Sequence, residues 1–169
     1  MKKTFIVILA VLLCLPLSGC GLFLERHTSV PPNAETIGAD KVFYGDGYSI
    51  TLTDDFEEKQ SRQGFDGYYV ATFCGVMVKI EPFSLAGYLR SESLTDHMRS
   101  VIRNNNVDTV PVEEAGLTYY RYYNGGNAGW NFGYKGSDAF YLVQFVCRAD
   151  HESALRDFIF SFAGSVKVD

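Results

Sequence analysis

The side chains of this sequence with the greatest capacity for nucleophilic chemistry are those of its four cysteines and three histidines. A catalytic cysteine needs a nearby base and a group that orients that base. Two pairs can be drawn, Cys74 with His97 and Cys147 with His151, but no local motif supports either. The Gly-x-Ser-x-Gly and Ser-x-x-Lys patterns are also absent from the sequence. We therefore expect no catalytic residues, and a hydrolase that uses Cys74 or acidic side chains is the alternative.

An acidic cluster, Asp54, Asp55, Glu57 and Glu58, directly follows a predicted strand. Its oxygen atoms are suited to weak calcium binding, but the spacing of an EF-hand loop is absent. The simpler interpretation is a solvated loop. No His-x-x-x-His or Cys-x-x-Cys motif supports a zinc site. We expect neither a metal nor a cofactor.

Aromatic residues are concentrated in two adjacent predicted strands around a glycine-rich turn. Alternate side chains of a strand share a face, so an open face of this hairpin would offer rings for a sugar or a protein partner. An arginine between the rings could stack as well. If helices cover both faces, the rings are core instead. The candidate binding surface consists of Tyr120, Arg121, Tyr122, Trp130, Phe132 and Tyr134.

Cys20 follows a short leader of the secretory type. Lys2 and Lys3 precede an apolar run over residues 5–15, which is shorter than the ~20 residues of a membrane-spanning helix but typical of a signal peptide. The motif Leu17-Ser18-Gly19-Cys20 resembles the bacterial lipobox. That resemblance implies a diacylglycerol on Cys20, and two acyl chains hold a protein stably at a membrane. We expect a lipid anchor on the extracytoplasmic face of the cell membrane; an ordinary secretory signal is the alternative.

Three segments follow from this interpretation: a signal peptide over residues 1–19, a lipidated cysteine and flexible tether over 20–40, and a single domain over 41–169. The tether lacks sustained periodicity and contains Pro31-Pro32. Lipidation of Cys20 leaves Cys74 and Cys147 in the domain. An exported location permits a disulfide between them. Two separate buried thiols are the alternative.

The charge of the chain disfavours nucleic acid as a partner. The formal net charge is −5, and removal of Lys2 and Lys3 with the leader would make it about −7. An acidic domain repels phosphate backbones. The 13 Phe, 11 Tyr and single Trp favour a packed core over disorder.

Strands and helices are indicated by the spacing of apolar residues. Strands are expected at residues 42–44, 48–53, 110–113, 117–123, 130–135 and 139–147, and residues 68–83 form one or two strands with Gly75 at the turn or bulge. Ser93 and Asp96 indicate the start of a helix whose apolar face contains Leu94, Met98, Val101 and Ile102. A second helix is expected from Asp150 as N-cap to about Gly164. This order of strands and helices predicts an α+β fold with a mainly antiparallel sheet.

The order of elements over residues 44–168 resembles that of the PsbP/DcrB-like superfamily. The likeness rests on the opening strand Gly47-Tyr48-Ser49-Ile50-Thr51-Leu52, the middle helix, the β-meander and the closing helix with Phe158-Ile159-Phe160-Ser161-Phe162. It implies an antiparallel sheet flanked by helices in an α/β/α sandwich. It also implies a binding or accessory role rather than an enzymatic one, although fold likeness does not fix function.

The sequence therefore predicts a membrane-anchored extracytoplasmic lipoprotein that acts as a binding or accessory module. Its expected partners are the membrane, through the diacylglycerol on Cys20, and an envelope protein or a glycan. A cell-envelope hydrolase and a purely structural envelope domain are the alternatives.

Overall fold

The computed structural model describes residues 38–61, 64–85, 90 and 92–169. The predicted signal peptide, Cys20 and residues 21–37 of the predicted tether lie outside these described residues. Within the described part of the chain, no helix combines the length and the apolar character that crossing a bilayer requires.

Ten strands lie in the described residues: β1 Asp40–Gly45, β2 Tyr48–Thr53, β3 Glu57–Glu58, β4 Gly67–Val70, β5 Gly75–Pro82, β6 Val112–Glu114, β7 Leu117–Asn124, β8 Asn127–Lys135, β9 Ala139–Arg148 and β10 Lys167–Val168. Seven of them form one sheet in the order β3-β4-β5-β9-β8-β7-β6, and the others form a small sheet in the order β1-β2-β10. Every neighbouring pair in both sheets is antiparallel. The predicted fold class, α+β with a mainly antiparallel sheet flanked by helices, is confirmed.

Two α-helices of the described residues flank the large sheet, α1 Leu94–Asn104 and α2 Glu152–Gly164. The start of α1 is as predicted, because the Ser93 hydroxyl accepts a hydrogen bond from the Asp96 amide at 3.1 Å. The predicted cap of α2 is wrong. A 3₁₀ turn, Ala149–His151, precedes that helix, and the Asp150 carboxylate instead accepts hydrogen bonds from Arg148.

The large sheet separates two apolar layers. Alternate residues of β9 face opposite sides: Val143 and Phe145 join the larger core with α2 and the small sheet, whereas Leu142 packs with α1. In the larger core, Ile50 of the small sheet and Ile159 of α2 are almost fully buried. Each such side chain contributes about 1.5–3 kcal/mol through removal of its apolar surface from water.

Several details of the fold depart from the sequence-based expectation. Residues 68–83 contain most of β4 and all of β5, and Gly75 is the first residue of β5. The short strands β3 and β10 were not expected, because two residues carry no periodicity that a pattern could register. The expected sandwich of helices is present, but the unpredicted small sheet shares one face of the large sheet with α2.

Tight turns fix the register of the β-meander. β7 and β8 are joined by Gly125 and Gly126, whose φ angles are 56° and 84°. β6 and β7 are joined by Ala115 and Gly116, with φ angles of 53° and 77°. Two consecutive residues with positive φ are typical of a type I′ hairpin turn. Ala115 adopts this conformation at a cost that glycine would not incur.

Candidate functional site

A groove of about 730 Å³ lies between α1 and the second half of β5. This volume is within the usual range for a ligand site, ~300–1,000 Å³. We call it the His97 groove. Its lining is mostly polar and charged, and consists of Lys79, Ile80, Glu81, Pro82, Glu92, His97, Ser100, Val101, Arg103, Asn104 and Asn105.

The two walls of the groove are held in place by the packing of α1 on the sheet. Met98 and Ile102 are buried on the face of α1 that meets the sheet. A Cβ added at Gly133 would lie 2.7 Å from the Met98 Sδ atom and 3.0 Å from the Leu94 Cδ1 atom. Glycine at position 133 of β8 therefore allows α1 to approach closely, and this brings His97 over the sheet.

His97 lies at the floor of the groove and is only 4% exposed. Its Nε2 atom lies 2.8 Å from Oε2 of Glu81, and its Nδ1 atom lies 3.6 Å from Oε2 of Glu92. Neither nitrogen has an aligned hydrogen bond among the described residues. The contact with Glu81 is therefore close, but its geometry is not that of an aligned hydrogen bond.

Glu81 carries the strongest electrostatic perturbation in the groove. Its carboxylate contacts His97 and forms an ion pair with Lys79. These two contacts lower the pKa of Glu81 to about 2, although partial burial opposes the shift. Glu81 is therefore a carboxylate at neutral pH, and His97 has an anionic neighbour on its Nε2 side.

The groove does not contain an assembled nucleophile. The Ser100 hydroxyl donates to Glu92 at 3.4 Å, and neither ring nitrogen of His97 accepts a hydrogen bond among the described residues. A nucleophile and its base are expected within about 2.6–3.2 Å of each other. The arrangement can bind polar groups, but these contacts do not activate a hydroxyl.

The positions of Cys74 and His97 do not support the first of the two cysteine–histidine pairs drawn from the sequence, and burial of the thiols disfavours both pairs. Cys74 and Cys147 belong to the core on the α2 side of the large sheet, whereas His97 stacks on Phe140 on the α1 side. Burial raises the pKa of Cys147 to about 12 and that of Cys74 well above its ordinary value. Both groups are thus held as neutral thiols, which are poor nucleophiles.

The disulfide expected as one alternative is not formed, because Cys74 and Cys147 are both free thiols. They are close neighbours nonetheless. Cys74 immediately precedes Gly75, which pairs with Val146 in the ladder between β5 and β9. The second alternative from the sequence, two buried thiols in the core, describes their state in this structure.

The six residues of the candidate aromatic surface do not share an open face. Tyr120 and Tyr122 pack on the α1 side. Trp130, Phe132 and Tyr134 lie with the core on the α2 side, where Tyr134 donates a hydrogen bond to the Ala163 carbonyl at 2.7 Å. Tyr120, Trp130 and Phe132 are buried, and the pKa of Tyr120 is raised to about 12 by burial. Arg121 is the exposed member, with its guanidinium 4.5 Å from the centroid of the Trp130 ring.

The acidic cluster serves local structure. Asp55 accepts hydrogen bonds from the Gly38 amide and the Thr53 hydroxyl, at 2.9 and 3.0 Å, and Glu57 pairs with Lys59. Among the described residues, no group of three or more His, Cys, Asp or Glu side chains is arranged to hold a metal ion.

Together, these features describe an α+β domain with a polar groove on one face of its large sheet. No family model and no curated protein matches the sequence significantly. The solution structure of cyanobacterial PsbP (CyanoP) from Synechocystis sp. PCC 6803 is similar, with a TM-score of 0.54 and 14% identity. That match covers 83% of this chain and 98% of the cyanobacterial chain, and it establishes likeness of fold alone.

A second similar structure, from Bacteroides thetaiotaomicron VPI-5482, has a TM-score of 0.48 and 8% identity. The match covers 78% of this chain and 48% of the other, so this chain spans about half the length of that protein. A likeness at this level carries no argument about function.

Proposed function

We propose that this chain is a membrane-anchored extracytoplasmic binding or accessory module that takes a polar peptide segment of an envelope protein into the His97 groove. The observation that carries the proposal is the state of His97. It is buried at the floor of a 730 Å³ groove and has no aligned hydrogen bond on either ring nitrogen among the described residues. A partner's polar group at this position would supply the aligned hydrogen bond that the contacts with Glu81 and Glu92 do not provide.

The lining of the groove favours a peptide over a glycan. A peptide backbone presents amide donors and carbonyl acceptors, and the groove supplies Glu92 as an acceptor with Arg103 and Asn104 as donors. Sugar rings are bound on open aromatic faces. The aromatic side chains of Trp130 and Phe132 in the hairpin are buried, which removes the main argument for glycan stacking.

Anchoring is the second component of the proposal. The lipobox-like motif that ends at Cys20, the apolar leader before it and the proline-containing segment after it support a lipid anchor with a tether. Twenty flexible residues have a mean span of roughly 25 Å. The groove would then reach proteins at or near the outer surface of the membrane without the domain resting on the headgroups.

A binding role accounts for the buried chemistry better than a hydrolase does. Cys147 is held as a thiol by a pKa of about 12, and the Ser100 hydroxyl donates its hydrogen bond to Glu92. The charged groups of the groove, Lys79, Glu81 and Glu92, instead pair with one another or with His97. Such pre-arranged polar groups fix the orientation of a ligand.

Site-specific photo-crosslinking in cells tests the proposal. Benzoylphenylalanine in place of Asn104 places the probe on the exposed rim of the groove, and the same residue in place of Asp157 places it on α2, on the other side of the large sheet. We expect a discrete adduct with an envelope protein from position 104 and not from position 157, with the partner identified by mass spectrometry. Absence of an adduct at position 104, or equal adducts at both positions, would refute binding through the groove.

A further inference from the structure

A second, smaller cavity lies on the opposite face of the large sheet from the His97 groove. It has a volume of about 210 Å³ and is formed where the β7–β8 hairpin meets the first turns of α2. It is lined by Arg121, Trp130, Glu152, Ser153 and Arg156. At ~30 Å³ per water molecule, this volume accommodates a small polar group together with a few waters.

Trp130, one of the residues that line this cavity, carries an unsatisfied donor. Trp130 is 2% exposed, and its Nε1 atom is buried without a hydrogen-bond partner among the described residues. Its ring is fixed by Tyr119 and Phe160, at centroid distances of 5.4 and 5.5 Å. An indole N–H can only donate, and a buried donor without a partner costs about 1–3 kcal/mol. The position therefore calls for a hydrogen-bond acceptor.

Two guanidinium groups flank the same cavity. The Arg121 guanidinium lies 4.5 Å from the centroid of the Trp130 ring, and that of Arg156 lies 4.5 Å from the centroid of Phe160. Each guanidinium has five N–H donors in a fork that suits a carboxylate. The ion pairs of Arg121 with Glu152 and of Arg156 with Glu114 both use the Nη2 atom, and Nη1 of Arg156 lies 3.7 Å from Oδ1 of Asp157. Each guanidinium has five N–H donors, so other donors remain on each arginine.

The position of Glu152 shows that a carboxylate group fits beside Arg121 in this cavity. Its Oε1 atom is buried, lies 2.6 Å from Nη2 of Arg121 and has no aligned hydrogen bond among the described residues. Its Oε2 atom accepts a hydrogen bond from the Tyr123 hydroxyl at 2.7 Å. A carboxylate of the protein itself thus already lies beside the arginine, and it would compete with any carboxylate that arrived from outside.

We propose that this cavity is a binding site for a carboxylate group, held by Arg121 and Arg156 and by the indole N–H of Trp130. The carboxylate comes either from an acidic side chain of a polypeptide or from a small free carboxylate ion. This site is separate from the His97 groove, so it stands or falls independently of the proposed function.

Trp130 is the single tryptophan of the chain, so its fluorescence reports on the site directly. Sodium acetate is titrated into the folded chain at constant ionic strength, with sodium chloride as the compensating salt. We expect a saturable change in Trp130 fluorescence with acetate that chloride does not produce. An identical response to the two salts, or no response, overturns the proposal.

Three variants test the predicted direction of the change in acetate affinity. Arg121→Gln should weaken acetate binding about tenfold, the equivalent of ~1.4 kcal/mol. Glu152→Gln should strengthen it, because the competing carboxylate is removed. Arg99→Gln, on the exposed side of α1, should leave it unchanged. Thermal unfolding confirms that each variant is folded. Equal affinity in Arg121→Gln and in the unmodified chain also overturns the proposal.

A blocked peptide of alternating glutamate and glycine distinguishes the two sources of the carboxylate. Binding of the peptide at least about tenfold tighter than acetate indicates a polypeptide ligand, because contacts beyond the carboxylate then contribute. Binding no tighter than acetate indicates a small carboxylate ion. With either ligand, binding must also be weaker in Arg121→Gln than in the unmodified chain.

Discussion

The ring of His97 lies flat on the ring of Phe140, with 4.0 Å between the centroids and 5° between the planes. This stacking fixes the orientation of the imidazole, so its two nitrogen edges face Glu81 and Glu92. Because Phe140 is fully buried in β9, the large sheet itself supports the floor of the groove. The position of His97 therefore depends on the docking of α1 and not on a flexible loop.

The contact between Glu81 and His97 predicts a specific acid sensitivity of the fold. The pKa of Glu81 is about 2, below its ordinary value of 4.5. Since the folded value is the lower one, the contact stabilises the fold above about pH 4.5, and this contribution is lost as the pH falls from 4.5 through 2. Urea unfolding across this range should show a loss on the order of 2 kcal/mol that Glu81→Gln largely removes.

Glu57→Gln is the matched control for this prediction, because Glu57 pairs with Lys59 on the surface, where ion pairs contribute little. Its acid-unfolding profile should stay close to that of the unmodified chain. The account of Glu81 is wrong if Glu81→Gln keeps the full loss of stability between pH 4.5 and 2.

The state of Cys74 and Cys147 predicts slow thiol chemistry. Burial raises the pKa of both groups, to about 12 for Cys147, so thiolate is scarce at pH 8. A truncated domain that begins at residue 38, kept unreduced, should react with Ellman's reagent only slowly while folded. In denaturant it should show two thiols. A count of zero in denaturant would instead reveal a disulfide, and a fast reaction in the folded state would contradict the inferred burial.

The turn between β6 and β7 offers a stabilising substitution. Ala115 has a φ of 53°, a conformation that disfavours residues with a Cβ atom. Ala115→Gly should raise the free energy of unfolding by about 1 kcal/mol, since glycine adopts positive φ without this penalty. Gly116→Ala, at a φ of 77° with no neighbouring atom within 4 Å, should lower it for the same reason. If denaturant midpoints moved in the opposite directions, this conformation of the turn would be excluded.

The lipid anchor can be tested by metabolic labelling with an alkyne fatty acid. The unmodified chain should acquire the label, because Cys20 ends a lipobox-like motif. Cys20→Ser should abolish it, whereas Cys14→Ser, in the apolar part of the leader, should not. Label that persists in Cys20→Ser, or that never appears in the unmodified chain, would exclude acylation at this residue.

The elements that the sequence predicted well are those with a strong local signal. The start of α1 follows from the hydroxyl of Ser93 and the spacing of Leu94, Met98 and Ile102. The strands of the meander follow from alternation between turns that contain glycine. The small strands β3 and β10 depend on tertiary pairing, and two residues give no periodic signal.

The candidate site was less accessible to sequence reasoning, because it joins residues distant in the chain. Glu81 and His97 meet only when α1 packs across the end of β5, and no local pattern specifies that contact. The interpretation of the aromatic hairpin as a binding surface was wrong for a related reason. Alternation assigns the side chains of each strand to two faces, but it does not specify whether other elements cover those faces. A weak signal for the groove exists in the alternation of Lys79 and Glu81, which sets charged residues on one face of an otherwise apolar strand.

The most direct test of the proposed function is the yield of the crosslink from position 104 in chains with an altered groove. Arg103→Glu reverses a charge that lines the groove, whereas Arg99→Glu reverses one on α1 outside it. We predict that Arg103→Glu lowers the yield of the envelope-protein adduct about tenfold, the equivalent of ~1.4 kcal/mol of binding, and that Arg99→Glu leaves it unchanged. The same yield in both variants would contradict binding through the His97 groove.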